Sequence, residues 1–122
     1  MHKVLIEPAS YESCSQAVNK AFDLFPIELS GRKVLIKPNV LRAATAEEGI
    51  ATHPTVLRAV IARVEASGPA TIVVGDNPGA LFYGANEARF RKTGLLEAAG
   101  AYYHNIGTEA REVALNSKFG VR

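Results

Sequence analysis

The sequence predicts an α/β fold, a three-layer α/β/α arrangement around a mostly parallel sheet of four or five strands. Three observations carry this expectation. Short β-branched runs alternate with longer segments whose apolar residues recur at helical spacing, the pattern of successive βαβ units. Two runs, Val34-Leu-Ile36 and Ile72-Val-Val74, are continuously apolar, as strands covered on both faces are. Each then stops abruptly in a polar loop, Lys37-Pro38-Asn39 and Gly75-Asp76-Asn77-Pro78-Gly79.

The elements follow in order. Lys3 to Ile6 reads as a short strand ended by Pro8. Ser10 suits the N-cap of the next helix, in which Cys14, Ala17, Val18, Ala21, Phe22 and Phe25 form one apolar stripe. Pro26 ends that helix, and Cys14 on its stripe reads as a small buried hydrophobe. After a turn at Ser30-Gly31, Lys33 to Ile36 is a strand. A loop of about a dozen residues follows, Leu41 to Ala51, a length often tied to function. Pro54 suits the first position of a helix, with Thr52 or His53 as its cap. Val56, Leu57, Val60, Ile61 and Val64 make its apolar face, Arg58 and Arg63 turn outward, and Gly68 closes it. Ala70 to Val74 is a second buried strand. Asn86 to Lys92 reads as helical, and Thr93 as the cap of a short helix, Gly94 to Ala99, ended by Gly100. Ala101 to Ile106 reads as a further strand carrying Tyr102 and Tyr103, and Glu112 to Leu115 as a last strand candidate.

The 122 residues suffice for one domain with a real core, residues 1–122. The end at Phe119-Gly-Val-Arg122, without a closing helix, reads as a cut. The expectation is therefore a truncated domain, the amino-terminal part of a larger one, whose edge strand needs cover or a partner.

Composition removes several function classes. Apolar residues at 48% and charged residues at 21% describe a globular chain. A formal net charge of +2, with scattered basic residues, argues against a nucleic-acid partner. No apolar run approaches the roughly 18 residues of a membrane span, and the first residues lack a signal-peptide core. A cytoplasmic location is the expectation. Cys14 is the single cysteine, so this chain alone ligates no iron–sulfur cluster and forms no internal disulfide. His2, His53 and His104 lack metal-site spacing, and no metal is expected. Neither G-x-G-x-x-G nor a phosphate loop nor a nucleophile elbow occurs.

The remaining candidates cluster at predicted strand ends, where open α/β sheets bind ligands. Lys37 offers an ammonium to a phosphate or carboxylate, and Asn39 adds a donor and an acceptor. The plainer reading is a solvated lysine followed by a turn. Thr52 and His53 precede a helix whose free N–H groups favour an anion, and His53 is a candidate proton carrier. Capping by Thr52, with His53 exposed, accounts for the same residues. Asp76 would contact a hydroxyl or a metal, or act as a base, with Asn77 beside it. An Asx-turn organising Asn77-Pro78-Gly79 accounts for them equally.

Taken together, Val34-Leu-Ile-Lys-Pro-Asn-Val-Leu41, Ala51-Thr-His-Pro54 with Val56-Leu-Arg-Ala-Val-Ile61, Gly75-Asp-Asn-Pro-Gly79 and Lys92-Thr-Gly-Leu95 resemble the amino-terminal part of the domain-of-unknown-function family DUF362. The order and spacing of the pieces agree over roughly residues 1 to 115. Many members of that family resemble iron–sulfur proteins with a following ferredoxin-like segment, so the resemblance implies a redox setting. It also implies that the strand-end loops and Thr52-His53 belong to one site, of which this chain carries part. A later lysine- and histidine-containing motif and all cluster cysteines are absent from this sequence. At the level of fold analogy alone, the chain is also similar to the amino-terminal domain of nickel-pincer lactate racemases.

Two functional readings follow. In the first, Lys37, Asn39, Thr52 and Asn77 bind an anionic small molecule, with His53 and Asp76 in catalytic positions. In the second, the domain is a non-catalytic accessory or oligomerisation unit. It would pair with a second copy or with a missing C-terminal domain.

Overall fold

A computed structural model describes residues 2–77, 86–108 and 111–114. Four helices and a two-stranded parallel sheet make up its regular elements, so the chain is mixed α/β. They run α1 (Cys14–Leu24), β1 (Lys33–Ile36), α2 (Pro54–Glu65), β2 (Thr71–Val74), α3 (Asn86–Lys92) and α4 (Leu95–Ala99). β1 and β2 pair in parallel with Lys33 opposite Thr71 and Ile36 opposite Val74. Parallel neighbours need a crossover, and α2 supplies it.

The core sits between α2 and the inner face of the sheet. Leu57 and Ile61 from α2 meet Val74 from β2, Val40 from the loop after β1, and Phe90, Leu95 and Ala99 from α3 and α4. Ile36 and Ile72 pack against the same cluster. α1 lies on α2. Arg63 of α2 is not turned out to solvent as its spacing predicts. Its guanidinium pairs with Asp23 at 3.1 Å and lies over the Phe22 ring.

The larger sheet is not present among the described residues. Lys3 to Ile6 is extended but unpaired, with Val4 and Ile6 at 78% and 89% exposure. An apolar run becomes a strand only where a neighbour takes its backbone groups. Ala101 to Ile106 joins the sheet at one point, a parallel bridge between Tyr103 and Val74, with His104 N–H donating to Val74 O at 2.9 Å. Single-turn 3₁₀ helices at Gly100–Tyr102 and Ile106–Thr108 take up the rest. Residues 111–114 are irregular; Leu115, Pro78 and Gly79 lie outside the described residues.

Other boundaries shift slightly. α1 starts at Cys14, and Ser10 and Ser13 cross-link the turn before it, each backbone N–H donating to the other's hydroxyl at 3.0 and 3.3 Å. α4 starts at Leu95 with Gly94 as its N-cap at φ 76°. At Gly75 the backbone runs close to the segment after α4: a Cβ there would stand 2.7 Å from His104 O. That contact sets the path of the chain just before Asp76.

Candidate functional site

β1 and β2 end side by side, and the groups that follow them meet. Lys37 is the first residue beyond β1 and Asp76 the second beyond β2. Their side chains form an ion pair, Nζ to Oδ1, at 2.5 Å. The pair is lopsided: the lysine side chain is 61% exposed and the carboxylate 3%. Asp76 Oδ2 accepts the backbone N–H of Val40 at 3.1 Å. Oδ1 makes no directed hydrogen bond, so the lysine contact is one of charge and proximity. A carboxylate this buried requires compensation, and here it comes from one ammonium and one backbone amide.

Val40 is fully buried, and Leu41 after it has φ 47°, the one positive φ outside glycine among the described residues. Strained backbone of this kind is held by its surroundings. Beyond it, Glu48 accepts from Thr45 N–H at 2.8 Å and from Arg42 Nη2 at 3.3 Å, which ties the loop to itself.

Asn39 and Thr52 are joined to each other. Asn39 N–H donates to Thr52 Oγ1 at 2.9 Å, Thr52 N–H donates to Asn39 O at 2.8 Å, and Asn39 Nδ2 donates to Ile50 O at 3.2 Å. These bonds clamp the loop after β1 onto the start of α2. Thr52 is therefore not the cap. His53 is: its Nδ1 accepts Thr55 N–H at 3.3 Å. Nor does the His53 ring stand free in solvent. It is half-buried and stacked on Tyr11 at 3.6 Å and 12° between planes.

Near the end of β2 lie several polar groups of another kind. Asn86 is fully buried and donates through Nδ2 to Asn105 Oδ1 at 3.0 Å. Its own Oδ1, Asn77 Oδ1 and the Tyr103 hydroxyl have no hydrogen-bond partner among the described residues. Burial, and secondarily the charge of Glu87, raises the Tyr103 phenol above its ordinary pKa.

The structure thus brings Lys37 and Asp76 together and locks Asn39 to Thr52, one residue from the Val40 amide. His53 is engaged in the cap and the stack. Sequence reasoning missed the Val40 amide, because a backbone donor leaves no trace in residue identity. It also missed Tyr11, whose ring pairs with His53 across 42 positions of sequence.

These loops lie within a family match. A model of the family described as domain of unknown function (DUF362) matches residues 34–116. The chain belongs to the DUF362 family. No curated protein and no solved structure matches it. The DUF362 match begins within β1 and takes in Lys37, Asn39, Thr52, His53, Asp76 and Asn77. Tyr11 and α1 precede it.

Iron–sulfur ligation does not fit this DUF362 chain. Cys14, the sole cysteine, is buried on α1, and no group of three His, Cys, Asp or Glu side chains among the described residues is placed to hold a metal. No described helix is long and apolar enough to cross a membrane.

Proposed function

We propose that this domain binds an anionic small molecule, a phosphate or carboxylate, at the carboxyl ends of its strands, with Lys37 as the group that meets it. The asymmetry of the Lys37–Asp76 pair carries the reading. A lysine ammonium has three donors. The buried carboxylate of Asp76 faces one side of it and holds it in place, while most of the side chain faces water. An anion arriving from solvent meets a positioned cation and need not immobilise a free one. Asn39 and Thr52 serve by fixing the loop that carries Lys37. Asn77 sits beside Asp76, and its side-chain carbonyl has no partner among the described residues. In this reading Asp76 is an internal counter-ion, and His53, whose Nδ1 is occupied by the cap, exchanges protons through Nε2. A redox role in a cytoplasmic setting would draw its cluster from another segment or partner.

The test is a titration of the chain with inorganic phosphate and with acetate, followed by amide chemical shifts. Lys37, Val40 and Asp76 amides are expected to shift together and saturate. Lys37→Met should weaken binding about tenfold or more, the scale of a lost charge-assisted bond. Shifts that do not saturate, or equal affinity in Lys37→Met, would sink the reading.

One observation favours the accessory alternative. Among the described residues β1 pairs on one side only, and Leu35 on its outer face is 55% exposed. An uncovered edge and face are what a docking domain presents.

A further inference from the structure

The start of α2 joins a titratable cap to two carboxylates. His53 Nδ1 accepts the Thr55 N–H, which requires a lone pair on that nitrogen. An imidazolium has none. It would set an N–H against the Thr55 N–H and place positive charge at a helix N-terminus, where the helix dipole opposes it. Pro54 at the first helical position has no N–H, so His53 satisfies one of few exposed donors there.

The rest of the surroundings favours the charged ring. The Tyr11 face lies 3.6 Å from the imidazole, and an aromatic face attracts a cation. Glu12, before α1, and Glu47, in the loop after β1, both lie close enough for the charge of His53 to act on them. Both carboxyls are held below their usual pKa. For Glu12 the causes are the Ser10 hydroxyl, then its own backbone amide, and least the charge of His53. For Glu47 they are its own backbone amide, then the Thr45 hydroxyl, and least His53.

We propose that His53 is an acid switch at the start of α2: neutral, it caps Thr55; protonated, it leaves the cap, still stacked on Tyr11. Imidazoles as a class change charge between pH 5 and 8. Thr52, the preceding residue, is clamped to Asn39 by two hydrogen bonds. Release of the cap therefore loosens the anchorage of the loop that carries Lys37. This inference is independent of whether an anion binds there.

Amide hydrogen exchange, corrected for the intrinsic pH dependence of exchange, tests it. Thr55 in the wild-type chain should lose about fivefold or more of its protection between pH 7.5 and pH 5, the scale of a lost N-cap. His53→Asn keeps a cap acceptor without a titrating group, so its Thr55 protection should stay constant. Constant protection in the wild type, or the same acid loss in His53→Asn, would each overturn the switch.

Discussion

At the scale of single residues, the Lys37–Asp76 pair is the point where stability and function meet. Asp76 is 2% exposed, so its charge cannot be left to water. Removing a partner from a buried charge is costly, although the exposed lysine end lets solvent recover part of the loss. Lys37→Ala should therefore lower unfolding stability by about 1–3 kcal/mol, read as a lower urea midpoint at unchanged slope. Adding Asp76→Asn to Lys37→Ala should restore part of that loss, since a neutral amide needs no counter-ion and still accepts from Val40 N–H. A double variant less stable than the sum of the single effects would show that the pair is not the source. The pairing was only half legible in the sequence. Lys37 and Asp76 stood out because each follows an apolar run, but nothing in their types shows that they touch. That follows from the register of two parallel strands, which sequence spacing does not reveal.

Among elements, the regular pieces backed by their own capping and packing signals were readable, and those that needed a distant partner were not. Lys33–Ile36 and the proline-started α2 stand where their patterns put them. The Ala101–Ile106 segment meets β2 only at Tyr103, because 3₁₀ turns bend the backbone on either side of that point. The residue before the bridge bonds instead to a helix. Tyr102 donates its hydroxyl to Glu65 Oε1 at 2.5 Å, tying the segment to the end of α2. That hydrogen bond, then desolvation and the charge of Glu65, raise the Tyr102 phenol above its ordinary pKa. A phenol whose pKa is raised in the folded state stabilises that state fully below its unfolded value of about 10 and loses the contribution as pH climbs through the raised value. Phenolate absorbance should accordingly show Tyr102 ionising above a free tyrosine. In Glu65→Gln that ionisation should move back toward pH 10, with stability falling less steeply in alkali. An identical alkaline titration in Glu65→Gln would refute the account.

Over the whole molecule, the distribution of apolar surface is uneven. The inner face of the sheet closes against α2 and the α3–α4 pair, whereas Leu35 on the outer face stays open and β1 has no second neighbour among the described residues. Lys33 and Lys37 flank this strand, and like charges at both ends of an edge disfavour pairing with an identical edge. Association across the outer face does not meet that obstacle, because a face packs through side chains and leaves the backbone edge alone. If the domain acts as an accessory unit, its self-association should therefore depend on Leu35. Sedimentation velocity over a hundredfold concentration range measures this directly. Leu35→Lys should hold the chain monomeric throughout and leave thermal stability within about 0.5 kcal/mol, because an exposed side chain contributes little to the core. Concentration dependence unchanged in Leu35→Lys would remove the outer face as the contact. A strictly monomeric wild type would remove the second copy as the partner and leave docking on another domain as the accessory reading.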